Sequence, residues 1–254
     1  MSDYDRFANA RAGAGVARSG AAAIDQGLRA YMIGVYNYMT LGLGVTGLVA
    51  YGAYSLAGHE SATGRFIADG PLAGIYHAPL IYVVMFAPLA LVMYISAASN
   101  SMSVSTARAT FLGFAALMGL SMSAIFLIFK MGSIANVFFE TAAAFGGLSL
   151  YGYTTRRSLS AMGSFMAMGL IGLIIASLVN LFLHSGGLQF AISAIGILIF
   201  AGLTAWDTQA IKESYLAGDA YETSEKKAIY GALKLYLDFL NMFQFLLQMF
   251  GDRR

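Results

Sequence analysis

Leu235-Tyr-Leu-Asp238-Phe-Leu-Asn-Met-Phe243 sets a carboxylate inside a run of apolar and aromatic side chains. Ile199-Phe-Ala-Gly-Leu-Thr-Ala-Trp-Asp207-Thr-Gln-Ala-Ile211 does the same one segment earlier. The rest of the chain decides what those runs are. Its apolar fraction is 58% and its charged fraction only 11%, where a soluble domain carries about 25% charged residues. A chain of 254 residues cannot hide so much apolar surface in a water-soluble core, so the runs are membrane spans. A carboxylate in a bilayer costs about 2.5–3.5 kcal/mol even on insertion scales, which makes such residues rare and usually functional.

Apolar segments fall at 29–57, 76–98, 109–130, 133–155, 163–184, 188–211 and 228–250. None alternates strictly with period two, and open sheets cannot span lipid. The expected fold is an all-α integral membrane protein with seven transmembrane helices. The last segment carries Lys234, Asp238, Asn241, Gln244 and Gln248. A helix this polar survives in lipid only when protein surrounds it, so the C-terminal helix is expected at the centre, wrapped by the other six. The domain reading is a cytoplasmic tail over 1–28, one transmembrane domain over 29–250 and a short tail over 251–254. The N-terminal tail is polar and lacks the short apolar core of a signal peptide.

Lys and Arg set the orientation. With the N-terminus inside, the inner loops hold Arg6, Arg11, Arg18, Arg29, Arg108, Arg156, Arg157, Lys212, Lys226 and Lys227. The outer ones hold Arg65, Lys130, Arg253 and Arg254. That excess of inner cations favours a cytoplasmic N-terminus and an external C-terminus. A re-entrant last helix, leaving six spans and a cytoplasmic C-terminus, is the alternative. Pro88 lies inside the second span and is expected to kink it.

Several function classes find no support. With no cysteine, disulfides and thiolate chemistry are excluded. A net charge of +2 gives no case for nucleic acid. Gly42-Leu-Gly44-Val-Thr-Gly47 fits a dinucleotide-binding pattern by spelling alone. It lies in mid-span with no preceding strand, and is read as a surface for close helix approach, as are Gly163 to Ala167 and Gly169 to Gly172. His59, His77 and His184 are separated in sequence and read as interfacial or solvated. No zinc-protease pattern, nucleophile elbow or phosphate loop is present, so neither an enzyme nor a bound cofactor is expected.

The acids inside spans remain. Glu140, one to two turns from the outer end of the fourth helix, either lines an external vestibule or snorkels to water. Asp207 lies about one turn from the inner end of the sixth helix. Asp238 lies about ten residues, or ~15 Å, into the seventh. Adjacent antiparallel helices can bring them level. Two buried carboxylates in contact cannot both ionise cheaply, so such a pair shares one proton and changes charge with pH. Fully ionised, it offers the hard oxygen ligands that suit Ca²⁺ in transit. The competing arrangement pairs Asp238 with Lys234, four residues earlier, and lets Asp207 reach water.

Ser149-Leu-Tyr-Gly-Tyr-Thr-Thr-Arg156, Gly163 through Ser177, Gly202-Leu-Thr-Ala-Trp-Asp207-Thr-Gln-Ala-Ile-Lys212 and the run around Asp238 resemble the bacterial branch of the Bax inhibitor-1 family. The likeness covers the third to seventh helices; the N-terminal tail and the 59–75 loop do not contribute. The resemblance implies seven helices with the C-terminal one central. It also implies a pH-sensitive calcium leak in the bacterial inner membrane, governed by a di-aspartyl pair that here is Asp207 and Asp238. Some members carry an arginine near the inner end of the second helix that engages one aspartate. Here that stretch, Ser96 to Ser105, has no cation, and Arg108 is the nearest. Other bacterial relatives resemble modulators of a membrane-anchored ATP-dependent protease. The two expectations are thus a calcium leak and a non-conducting regulator that binds a protease through its N-terminal tail.

Overall fold

Each of the seven apolar segments becomes a helix in the computed structural model, which describes residues 3–61, 66–99 and 101–254. Arg65 and Asn100 lie outside the described residues, as do the side chains of Arg6, Arg11 and Arg18. The order is α1 (Asp3–Ala57), a two-stranded hairpin of β1 (His59–Glu60) and β2 (Phe66–Ile67), a 3₁₀ turn (Ala73–Tyr76) and α2 (Leu80–Ala98). Then follow α3 (Val104–Met122), the single turn α4 (Ile125–Ile128), α5 (Met131–Thr154), α6 (Ser160–Leu183), α7 (Gly186–Glu213) and α8 (Tyr221–Phe250).

Six stretches are long and apolar enough to cross a bilayer: Asp25–Ala57, Leu80–Ala98, Val104–Ile128, Met131–Thr154, Ser160–Leu183 and Gly186–Glu213. The helix ends follow local chemistry. The Ser103 hydroxyl accepts from the Thr106 amide at the start of α3, and Ser185 accepts from Leu188 at the start of α7; both satisfy amides that a helix N-terminus leaves open. His184 stops α6 in the left-handed region, at φ 50°. α2 runs unbroken through Pro88.

α8 is too polar to qualify as a span by composition, yet its 30 residues extend about 45 Å, enough to cross. It packs against α1, α3, α5 and α7, and its buried stripe includes Ile229, Leu235, Tyr236, Phe239, Met242 and Leu247. The C-terminal helix is therefore central. The wrapping is unequal: α2 packs on α3, and α6 on α7, as an outer layer. Leu89, Met93, Phe165, Ile171 and Phe182 on these outer helices are exposed, a surface that only lipid tolerates.

The end of α8 settles its parity with the other helices. The Lys130 amide donates to the Asp252 carbonyl and the Arg254 amide to the Ile128 carbonyl. Arg254 also pairs with Glu60 at 2.8 Å. The C-terminus therefore sits with the α1–α2 hairpin and the α4–α5 turn. At the opposite end, Tyr230 near the start of α8 donates to the Ser99 carbonyl at the end of α2. A helix tied at both faces is not re-entrant.

Candidate functional site

The α7–α8 hairpin brings the two aspartates together through its register. Ile211 packs on Gly231 and Phe245 on Gly196, while Ser193 donates to Gln248. Residue numbers that rise along α7 fall along α8, as antiparallel neighbours require. One turn before Ile211 lies Asp207. One and two turns beyond Gly231 lie Lys234 and Asp238, which share a helix face as i and i+4. Asp207 therefore sits opposite both. Glycines at 196 and 231 let the helices approach closely, because a Cβ at 196 would overlap the Phe245 ring and one at 231 would press on Ile211.

Asp207 is 7% exposed and Asp238 5%. The hairpin register, with Ile211 on Gly231 and Phe245 on Gly196, sets the two buried carboxyl groups on facing sides of α7 and α8. Among the described residues no donor reaches the buried Oδ2 of Asp238. A carboxylate buried without donors is costly, and two carboxylates hydrogen-bond only through a proton held between them. Two facing carboxyl groups buried in this way can hold one proton between them.

Lys234 completes the site, but not as its sequence spacing suggests. Its Nζ lies 3.5 Å from Asp207 Oδ1 and 5.9 Å from the centre of the Trp206 ring. The lysine therefore bridges to the neighbouring helix instead of to Asp238 on its own. Asp207, buried and bonded across the hairpin, does not snorkel to water. A crevice of about 570 Å³, lined by Ser96, Ser99, Lys226, Tyr230 and Lys234 among others, opens beside the pair toward the inner end of α2.

The polar residues of α8 do not form one wet cluster. Asn241 donates to the Leu237 carbonyl of its own helix. Gln248 lies at the outer end, where Gln189 and Ser193 donate to it. Between that end and the aspartates stands an aromatic layer, with Phe138 packed on Phe239 and Phe243, and Phe145 on Phe239.

Glu140 is exposed on α5. It lines an outer crevice of about 470 Å³ with Lys130, Asn136 and Asp252, and the structure does not bring it to the aspartates. Arg108 does not reach them either. It donates to Glu225 at 2.5 Å, and Tyr38 donates to the same carboxylate, tying α1, α3 and α8 at the end of the bundle where α8 begins. Among the described residues no three His, Cys, Asp or Glu side chains converge on a metal position. The histidines are dispersed, with His59 paired to Asp69 at 3.2 Å.

Sequence reading missed two supports. Gln209 accepts from the Leu159 amide and donates to the Arg157 carbonyl, pinning the inner end of α7 to the α5–α6 loop. Gly163 receives the Trp206 ring, which fixes the residue just before Asp207. The glycine was visible in the sequence; its partner was not.

The family model for inhibitors of apoptosis-promoting Bax1 matches residues 28–254. An uncharacterized protein of Rickettsia prowazekii is 46% identical over 236 residues, covering 91% of this chain and 92% of the relative. A Caulobacter vibrioides protein is 45% identical over 232 residues, again covering 91% and 92%. The inner membrane protein YbhL of Escherichia coli is 44% identical over 232 residues, covering 90% of this chain and 94% of its own.

Proposed function

The chain belongs to the Bax inhibitor-1-like family of multi-pass bacterial inner-membrane proteins, and from that premise we propose that it is a pH-sensitive cation leak whose gate is the Asp207–Asp238 pair. The observation that carries the proposal is the placing of two buried carboxyl groups on facing sides of the central helix and its neighbour, with one oxygen of Asp238 lacking any donor among the described residues. In such a pair protonation is the variable. With the shared proton in place the group carries one negative charge and holds α7 to α8. Without it, two negative charges in contact repel, and the hairpin is driven apart or recruits a cation.

Calcium is the proposed cation. Paired carboxylates are hard oxygen donors suited to it, and two of them make a transient contact more readily than a resident site. The aromatic layer of Phe138, Phe239 and Phe243 lies between the pair and the outer face, so passage requires that layer to part. Lys234, held on Asp207, is the cation that an incoming ion would displace. The proposed activity is transport and involves no bond-making chemistry.

A second reading, a non-conducting regulator of a membrane-anchored ATP-dependent protease, draws on the length of α1. That helix starts at Asp3, well ahead of its apolar run at 29–57, and so offers a handle outside the span. Purified protein in proteoliposomes, tested for Ca²⁺ flux between about pH 5 and 8, separates the two; a paired carboxylate titrates within that window. A pH-dependent flux above protein-free vesicles is expected. Vesicles that are tight at every pH sink the leak.

A further inference from the structure

The Gly42–Gly47 segment has two faces, and only one is packed. A Cβ at Gly42 would strike Phe111 and Tyr236, whereas one at Gly44 or Gly47 meets nothing within 4 Å. The open face belongs to a groove of about 1250 Å³ between α1 and α5. α1 packs mainly on α3 and α8, and α5 on α7 and α8, so a groove opens between them, with Phe239 of α8 in its lining and the Tyr36–Ser149 hydrogen bond as the direct tie across it. The groove runs along α1 from Arg29 to Tyr51, about 33 Å at 1.5 Å per residue, or roughly the hydrocarbon thickness of a bilayer. Its walls are apolar or aromatic over most of that length, including Ile33, Leu43, Phe138 and Leu150.

The polar exceptions are arranged by height. Arg29 stands at the inner end, where Tyr153 faces it from the end of α5. Among the described residues no carboxylate forms an ion pair with Arg29. A little deeper, the Tyr36 and Ser149 hydroxyls bond each other at 2.5 Å. An exposed, unpaired cation at headgroup level above an apolar slot is the donor pattern of a phospholipid site, and basic residues at the inner surface attract anionic lipid. Acyl chains are slender enough to lie along the groove, and a cation standing at its inner end fits a phosphate headgroup rather than the apolar face of a partner helix.

We propose that the inner half of this groove is a binding site for an anionic glycerophospholipid of the cytoplasmic leaflet, with its phosphate on Arg29 and its acyl chains between α1 and α5. The site is distinct from the aspartate pair and stands whether or not the protein conducts.

Gly146 gives the test. It lines the groove on the α5 wall, about 12 Å from the inner end of that helix. A Cβ there meets nothing within 4 Å, so Gly146→Leu fills the slot without displacing a neighbour. Gly172→Leu, equally open but on the outer helix α6, is the control. Thr40→Phe fills the same slot from α1 and serves if Gly146→Leu does not fold. The full chain in detergent is titrated with phosphatidylglycerol and, separately, phosphatidylcholine, and retained lipid is counted by native mass spectrometry. The parent and Gly172→Leu are expected to hold one phosphatidylglycerol per chain, in preference to phosphatidylcholine. Gly146→Leu or Thr40→Phe should weaken retention tenfold or more, and Arg29→Gln should erase the headgroup preference while leaving acyl occupancy. Parent-like retention in the slot-filling variants overturns the proposal. So does a parent dimer that Gly146→Leu dissociates, because the groove would then hold a second copy.

Discussion

Replacing Lys234 by Met tests the site through its electrostatics. The lysine Nζ is 3.5 Å from Asp207 Oδ1, with its side chain 57% exposed. At that distance two unit charges attract by about 1.2 kcal/mol in bulk water, and several times more at the effective dielectric of a protein surface. The open side chain calls for the screened value. One pH unit corresponds to 1.36 kcal/mol, so the lysine biases the protonation of the pair by about 0.9 pH unit. The sign follows from charge: a cation disfavours proton binding, so its loss lets the pair hold its proton to higher pH. In Lys234→Met the midpoint of the pH-dependent Ca²⁺ flux should move up by about one pH unit, and in Lys234→Arg it should stay near the parent. The shift runs through Asp207, so in an Asp207→Asn background the Met change should add little. Flux measured in proteoliposomes from pH 5 to 8 reads the parent, the two Lys234 variants, Asp207→Asn and the Asp207→Asn/Lys234→Met double variant. A midpoint that stays put or moves down in Lys234→Met refutes the pairing.

Three other outcomes follow from particular contacts. Gly163→Leu places a side chain in the Trp206 ring, an overpacking that should cost about 1–3 kcal/mol and lower the thermal midpoint, whereas the open Gly172→Leu should not. A reporter active only in the cytoplasm, fused after Arg254, should be silent, because α8 ends beside Glu60 and the α4–α5 turn; a strong signal there contradicts seven crossings. Deleting residues 2–24 should leave folding and flux intact, since the first apolar run begins only at about 29; lost flux would give the tail a part in conduction.

The spans were legible because burial in lipid leaves a long apolar run whatever the tertiary fold. Their ends were less so. α8 starts at Tyr221, seven residues ahead of its apolar run, because its first turns carry Glu222, Glu225, Lys226 and Lys227 on an amphipathic face outside the hydrocarbon. Likewise α3 begins at Val104, where Ser103 caps it, although its apolar stretch begins later. The two aspartates were legible as anomalies, since charge in a span stands out against its neighbours. The partner of Lys234 was not. Spacing within α8 offers Asp238 at i+4, while the register with α7, set by glycines at 196 and 231, decides for Asp207. Close packing and an open groove also read alike in sequence: Gly42 and Gly44 are the same residue type two positions apart, and helix rotation alone puts one against Tyr236 and the other toward lipid.

The pH profile of Ca²⁺ flux in Asp207→Asn, Asp238→Asn and the double variant tests the carboxylate pair most directly. Asn keeps the size and much of the hydrogen-bonding capacity of Asp but cannot take up the shared proton. Each single change should flatten the dependence between about pH 5 and 8, the range open to a paired carboxylate, and the double change should add little, because residues that act as one unit are not additive. A parent-like pH profile in both single variants would remove the pair from the gate.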